Sequence, residues 1–493
     1  MDSKFDVIIV GSGLGGLLCG YMLAKEGLRI CILEKNQQPG GCLQTFQRKG
    51  VVFDTGVHYF GGMDPCQTLY RYWKYFGLTD SLNLERLNQD RFDVINIRGQ
   101  EYPMAMGFEN FVNQLLPFFP SEKRNLEKYI DNLKVISRSF PLYNLELPSK
   151  NKEDYYRGQG AFDFYCSISN SELLASILAG NNFLYAGNQK KTPMHLPALI
   201  NHSFISSAWR TVGGSGQIAT RLMESILSFG GEIHLEEEVI CVDKNESEFE
   251  VKTKSDHRFV SNMFISGIHP AKILKLMEAS IFRKSFYKRV INLKNTYSSF
   301  AIYIVLKDRE FPYLDHNYYF HRSLDVWNDQ NIEGWPAGYM LHTPAPASSD
   351  NFAKSIIILA PMPFEMVKKW ENTYPGNRGT EYLVFKNRCT DSLIELAAQK
   401  FPMLSKSILY KEASTPLTWR DYTGIPEGSM YGIAHDYHDP IVTTLIPATK
   451  LPGFYFTGQN INLHGLLGVT IGAMLTCGEI LGLQYLLNKV SKT

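Results

Sequence analysis

The chain has almost no net charge: 50 Lys and Arg against 49 Asp and Glu leave +1, and no long run of like charge disturbs the balance. That evenness argues against a broad nucleic-acid-binding surface and gives no support to a strongly basic membrane patch. None of the eight cysteines forms a C-x-x-C pair, so neither a zinc site nor a dithiol motif is visible. Several cysteines sit in apolar runs, as buried reduced thiols do, which points to a reducing, cytoplasmic compartment. There is no internal repeat, no low-complexity tract, no Ser-His-Asp arrangement and no metal-ligand spacing. Residues 5–24 are apolar enough to suggest a signal sequence, but they lack a basic leader and a clear small-residue cleavage site. Residues 465–487 are long enough to span a membrane, yet they contain Glu479 and several glycines; we read them as a buried helix rather than a span.

What is present is a chain of 493 residues, 44% hydrophobic and 13% aromatic. That is too long for one core and predicts two or three domains. Its most informative stretch runs from Phe5 to Glu34. An apolar strand, Phe5–Val10, enters the turn Gly11-Ser12-Gly13-Leu14-Gly15-Gly16. A helical stretch to Glu26 follows, and then a second apolar strand, 28–33, that closes on Glu34. Gly11 permits a tight turn, Gly13 lets backbone approach a pyrophosphate, and Gly16 lets helix and strand pack closely. The free N–H groups of the helix N-terminus face the phosphates. Glu34 lies where an acid accepts hydrogen bonds from ribose hydroxyls. The pattern predicts a Rossmann-like βαβ unit holding a dinucleotide.

Downstream come Gly40-Gly41-Cys42, then Phe53-Asp54-Thr55-Gly56-Val57-His58, and a helix near 68–78. From about 85 to 205, mixed aromatics, prolines and polar residues read as a helical insertion with many turns. Gly213-Gly214-Ser215-Gly216 opens a helix over 217–227 that ends at Gly230-Gly231. Short strands follow at 232–235, 239–242, 249–252 and 263–265, and a second sheet is expected between 291 and 444. The glycines at 213–216 lack the spacing of the first turn, so one dinucleotide site is expected. The strand 453–456 leads into Thr457-Gly458-Gln459 and the apolar helix.

In this order, Gly11 to Gly16 with Glu34, Gly40-Gly41, Asp54-x-Gly56, Gly213-Gly214-x-Gly216 and Thr457-Gly458 resemble the flavin-containing amine oxidase superfamily. Asp54-Thr-Gly56-Val57-His58, the stretch Pro416 to Gly428, and Gly465-Leu-Leu-Gly468-Val469 most resemble the phytoene desaturase, carotenoid isomerase and retinol saturase family within it. The likeness covers most of the chain and is weakest from 85 to 205. It implies an α/β fold with an FAD-binding domain of three parts, 1–84, 205–290 and 445–493. A second, α+β substrate domain would comprise the helical insertion 85–204 and the sheet 291–444. It implies FAD as cofactor. Gly11, Ser12, Gly13, Leu14, Gly15 and Gly16 would hold its pyrophosphate, with Glu34 and Lys35 at the adenosine ribose and Val239 at the adenine. Gly40, Gly41, Cys42, Gly56, Val57 and His58 would lie along the cofactor, and Gly458 and Gln459 would return to it. A helix starting near Gly468 and Val469 would stabilise the reduced flavin with its positive end. Where family members often carry an arginine, this chain has Cys42, read as a small side chain under the ring.

The implied reaction is saturation, desaturation or isomerisation of carbon–carbon double bonds in an apolar polyene or prenyl lipid, with the electron donor or acceptor left open. Histidine titrates near neutral pH, so His58 is the first candidate acid or base. Arg420, Asp421 and Glu427 form a second polar cluster after a strand end. His464 could cap the last helix. Phe111, Leu115, Leu116, Phe118 and Phe119 read as core, with a peripheral membrane contact as the other use of such a stretch. Two competing readings stay open: an amine oxidase of the same fold, and a flavin- or lipid-binding protein without turnover.

Overall fold

The computed structural model describes residues 3–148, 153–346 and 351–493. The first strand, β1 (Ser3–Val10), runs parallel to the second, β2 (Ile30–Leu33), with Val7 opposite Ile30 and Val10 opposite Leu33. The crossover between them is the helix α1 (Leu14–Lys25), which contains neither proline nor a β-branched residue. It is buried along nearly its whole length because three elements cover it: the sheet, the helix Gly216–Ser228 and the helix Gly465–Leu481. Leu17, Leu18, Met22 and Leu23 are fully buried, each contributing roughly 1.5–3 kcal/mol. The helix ends at Gly27, whose positive φ lets Leu28 N–H reach back to the Leu23 carbonyl at 3.1 Å.

Around β1 the chain assembles a seven-stranded sheet from three separated segments. Its order is Glu232–His234, β2, β1, Arg258–Ser266, Phe249–Thr253, Val239–Lys244, and Phe454–Phe456 also pairs with Arg258–Ser266. The pairs flanking β1 are parallel, as is the pair made by Phe454–Phe456, whereas residues 239–266 form antiparallel hairpins. The expected Rossmann-like α/β unit is therefore present.

A second seven-stranded sheet runs Ile408–Ser414, Ser298–Leu306, Ser355–Met362, Gly338–His342, Asn317–His321, Asp93–Ile97, Gln100–Met104. Its central strands Ser298–Leu306 and Ser355–Met362 are buried at every residue. Helices between Phe108 and Ser206 pack on one face of it, sharing a core with Ile95, Tyr303, Tyr319 and Ile357. Two strands, 93–97 and 100–104, thus lie in a stretch whose texture had suggested helices alone. Each is only five residues long, DVINI and QEYPM, and neither alternates polar with apolar residues, so periodicity could not distinguish them from turns. Phe111, Leu115 and Phe119 are core, as expected, and only Phe118 of that group is exposed.

The apolar C-terminal stretch is two helices, Gly465–Leu481 and Leu483–Ser491, broken at Gly482 by its positive φ. Among the described residues no helix is long and apolar enough to cross a membrane.

Candidate cofactor and substrate site

One continuous cavity joins the two sheets. Its lining can be followed through contacts. Glu34, at the end of β2, is 5% exposed. Its Oε2 accepts the Ser12 N–H at 3.0 Å and the Ser12 hydroxyl at 2.6 Å, and its Oε1 accepts the Asn36 N–H at 2.9 Å. The acid is held by the glycine turn and faces the cavity beside Lys35, Glu238, Val239 and Lys272. Burial and the neighbouring Lys272 lower the Lys35 ammonium, which donates to the Asp421 carbonyl at 2.8 Å.

The glycines divide by what a side chain would meet. A Cβ on Gly13 would have no atom within 4 Å, because that position opens on the cavity. On Gly15 it would lie 2.7 Å from Gly458 Cα and N, and on Gly16 it would strike the Gly11 carbonyl oxygen at 2.1 Å. Ser12 and Gly16 do not line the cavity; they shape the turn, and Gly11, Gly13, Leu14 and Gly15 line it. No side chain caps α1, so its first N–H groups remain for a ligand. The helix Gly465–Leu481, α2 here, also has no side-chain cap and also presents its first turn to the cavity. It starts at Gly465, three residues earlier than expected. His464 does not cap it: His464 Nε2 donates to the Leu184 carbonyl at 2.9 Å, and the ring stacks on Tyr431 at 4.1 Å. Gly468 and Val469 both line the cavity.

From Gly13 the lining passes to Gly41, where a Cβ would lie 3.1 Å from Gly13 Cα, then to Cys42 and Gly56. Burial pushes the Cys42 thiol up to about 11, so at neutral pH it is a small neutral group. Val57 and His58 follow. His58 keeps part of its surface open, but to the cavity and not to bulk water. Burial and the nearby Arg210 guanidinium push its imidazole down to about 4, its Nδ1 has no hydrogen-bond partner, and its ring lies 4.7 Å from that of His342. Beyond it the walls become apolar: Phe183, Leu196, Leu199, Phe204, Met340 and Leu359.

Asp54 lies behind this surface. Its Oδ1 accepts the Ser215 N–H at 2.5 Å and hydroxyl at 2.7 Å, and burial raises its carboxyl to about 6. The second glycine turn, Gly213 to Gly216, is thus tied to the Asp54 loop.

The cluster expected at Arg420, Asp421 and Glu427 does not line the cavity. Arg420 and Asp421 lie on the helix Pro416–Thr423, started by a Thr415–Thr418 capping box. The Asp421 carboxylate pairs with Arg378 and, at 2.9 Å, with Arg420, whose Nη1 donates to the Glu371 carbonyl at 2.6 Å. Glu427 is exposed in a turn, with φ 59°. These charges point into structural pairs or solvent, while their neighbours Trp419, Tyr422 and Ile425 line the cavity. Sequence reasoning missed the pair Tyr59 and Tyr319, which line it as well.

The geometry fits FAD: an extended cleft with an open glycine cradle, an acid fixed at one end, two uncapped helix N-termini, and an apolar chamber beyond. The family of NAD(P)-binding Rossmann-like domains matches residues 9–76. Human all-trans-retinol 13,14-reductase is 26% identical over 531 aligned residues, covering 98% of this chain and 86% of the relative. The chloroplastic prolycopene isomerase of Daucus carota is 24% identical, covering 98% of this chain and 81% of the relative. Among solved structures, cyclohexylamine oxidase from Brevibacterium oxydans superposes with a TM-score of 0.64 at 13% identity, over 99% of both chains. Over nearly its whole length the chain is thus similar to proteins named all-trans-retinol 13,14-reductase and prolycopene isomerase, and it shares its fold with a solved amine oxidase.

Proposed function

We propose that the chain is an FAD-dependent oxidoreductase acting on carbon–carbon double bonds of an apolar polyene or prenyl lipid, as a saturase, desaturase or isomerase. The observation that carries this reading is the continuity of the dinucleotide cleft with the apolar chamber walled by Phe183, Leu196, Leu199, Phe204, Met340 and Leu359. Such walls desolvate a long hydrocarbon and offer little to a charged one. The names of the similar proteins from human and carrot support the same substrate class.

In this reading Gly11, Gly13 and Gly15 admit the pyrophosphate against α1, and Glu34, with Lys35 beside it, accepts ribose hydroxyls. Glu238 and Val239 border the adenine, and Gly458 and Gln459 close over the middle of the cofactor. The first turn of α2, from Gly465 to Gly468 with Val469 beyond it, lines the cavity and would favour negative charge on a flavin held there. When bound, FAD supplies or accepts a hydride equivalent. Cys42, Gly56 and Val57 line the cavity with small side chains that would leave room for the ring, and the chamber walls would keep water out. His58, lowered to about 4, is neutral at pH 7 and acts there as a hydrogen-bonding neighbour of the reaction space. Asp421 and Arg420 hold the helix that carries Trp419 and Tyr422 over the cleft.

The test is anaerobic reduction of the purified yellow protein followed by addition of retinoid and carotenoid polyenes. Reoxidation with a saturated product, or isomerisation on the reduced protein, is expected for at least one of them. If none is altered and an amine instead reduces the oxidised flavin, bleaching its yellow colour under anaerobic conditions, the polyene reading is wrong. If neither class reacts, the chain is a binding protein.

A further inference from the structure

A buried polar network reaches the apolar chamber from the second sheet. Asp93 opens the strand Asp93–Ile97 and is fully buried. Its Oδ2 accepts the Tyr59 hydroxyl at 2.9 Å, and Tyr59 Oη lies 2.6 Å from Tyr319 Oη. On the other side, Asp93 Oδ1 accepts from Asn317 Nδ2 at 2.8 Å, and Asn317 Oδ1 accepts from the Arg210 guanidinium at 3.2 Å. Both tyrosines line the cavity and Asp93 does not. We propose that Asp93, Tyr59 and Tyr319 form a proton relay that ends at the chamber, with Tyr319 as the group that gives its proton to a substrate carbon. The proposal rests on the polyene reading above.

Each phenol carries one proton. With Asp93 ionised, Tyr59 must donate to the carboxylate and Tyr319 to Tyr59, so the outer proton points inward. With Asp93 protonated, the order reverses: the carboxyl donates to Tyr59, Tyr59 to Tyr319, and the Tyr319 O–H is free for the chamber. One carboxyl thus decides whether the substrate meets a donor or an acceptor. The groups facing Asp93 are Tyr59 and Asn317, with Arg210 behind Asn317 and Tyr319 behind Tyr59. Burial lifts the carboxyl to about 7 against the opposing pull of Asn317, Tyr59 and Arg210. Both hydrogen-bond orders are accordingly populated near neutral pH.

Bound FAD would supply the hydride equivalent that saturation needs at one carbon of the double bond, and the neighbouring carbon would be left with an electron pair. That pair takes the proton from Tyr319 Oη. Tyr319 is refilled from Tyr59, and Tyr59 from Asp93, which is left as a carboxylate held by Asn317 with Arg210 behind it. The substrate has gained two electrons and two hydrogens in total. Asp93 recovers a proton from water once product leaves. Desaturation runs the same transfers backwards.

Three variants test the relay: Tyr319→Phe, Tyr59→Phe and Asp93→Asn. The two phenylalanines keep the ring contacts to Phe183 and Phe204, which lie 5.9 and 4.7 Å away, so at least these should fold and load FAD. On pre-reduced holoprotein with a polyene the wild type consumes, Tyr319→Phe should slow reduction by about a hundredfold or more. The wild-type rate should fall as pH rises through about 7, and Asp93→Asn should abolish that fall. A second readout needs no turnover. Infrared spectra of the cofactor-free chain should show a carboxyl band titrating near pH 7, absent in Asp93→Asn and shifted to higher pH in Tyr59→Phe, which loses a bond favouring the carboxylate. A Tyr319→Phe rate within threefold of wild type, an unchanged pH profile in Asp93→Asn, or no such band would each overturn the relay. If the wild type consumes no polyene, the polyene reading falls, and the infrared titration alone decides whether the Asp93–Tyr59 couple titrates.

Discussion

Glu34→Ala removes an acceptor that does two jobs. In the free chain its oxygens accept the N–H groups of Ser12 and Asn36 and the Ser12 hydroxyl. With FAD bound, their remaining lone pairs meet the ribose hydroxyls. A hydrogen bond to a charged acceptor contributes about 1.5–3 kcal/mol, so the FAD dissociation constant should rise roughly tenfold to hundredfold. Truncation also orphans two backbone N–H groups, each costing about 1–3 kcal/mol if left dry. Water in the cofactor-free cleft can reach them, so the apoprotein should lose no more than about 1–3 kcal/mol. The two effects separate experimentally: flavin titration of apoprotein gives the first, and denaturant unfolding of the same apoprotein gives the second. Glu34→Gln keeps one acceptor oxygen and should fall between alanine and wild type in affinity. A folded Glu34→Ala that binds FAD within twofold of wild type would refute the ribose role.

Three further outcomes follow from the same geometry. Gly13→Val should leave the apoprotein's denaturation midpoint unchanged, since its Cβ meets nothing within 4 Å, yet abolish flavin retention; Gly15→Ala should unfold more easily, because its Cβ would overlap Gly458 backbone at 2.7 Å. Asp54 is held up at about 6 against 3.8 in an unfolded chain, so its stabilising contribution is complete below the lower value and is lost as pH rises through the upper. Asp54→Asn should therefore gain on wild type by up to about 3 kcal/mol between acid and mildly alkaline pH, read from paired denaturation curves; parallel curves would contradict the sign. His58→Gln should keep FAD and most of its turnover, because a neutral imidazole is no charged acid at pH 7; a loss of about a hundredfold on pre-reduced protein would return the acid role to His58.

What was legible in the sequence was local. The turn Gly11 to Gly16 and its acid at Glu34 lie within one βαβ unit, where spacing alone encodes the geometry. Thr457-Gly458 and the helix after it were also readable, although the break at Gly482 and the start at Gly465 were not, because helix ends depend on which glycines adopt positive φ. The relay was invisible for the opposite reason. Asp93, Arg210, Asn317 and Tyr319 come from distant segments, and only the second sheet brings them together. The available signal was weak: Asp93 and Asn96 are polar residues in the otherwise apolar strand Asp93–Ile97, buried at every position. Arg420 and Asp421 misled because a charged cluster looks the same in sequence whether it faces a substrate or Arg378.

The backbone contact between Gly15 and Gly458 gives the protein a built-in check on its own completeness. The glycine turn after β1 cannot finish its binding surface until the distant strand Phe454–Phe456 has slotted beside Arg258–Ser266. Without that strand the turn at Gly15 offers FAD only half a clasp. Cofactor capture should therefore mark chains in which these two distant segments have met, and yellow colour reads out that long-range docking.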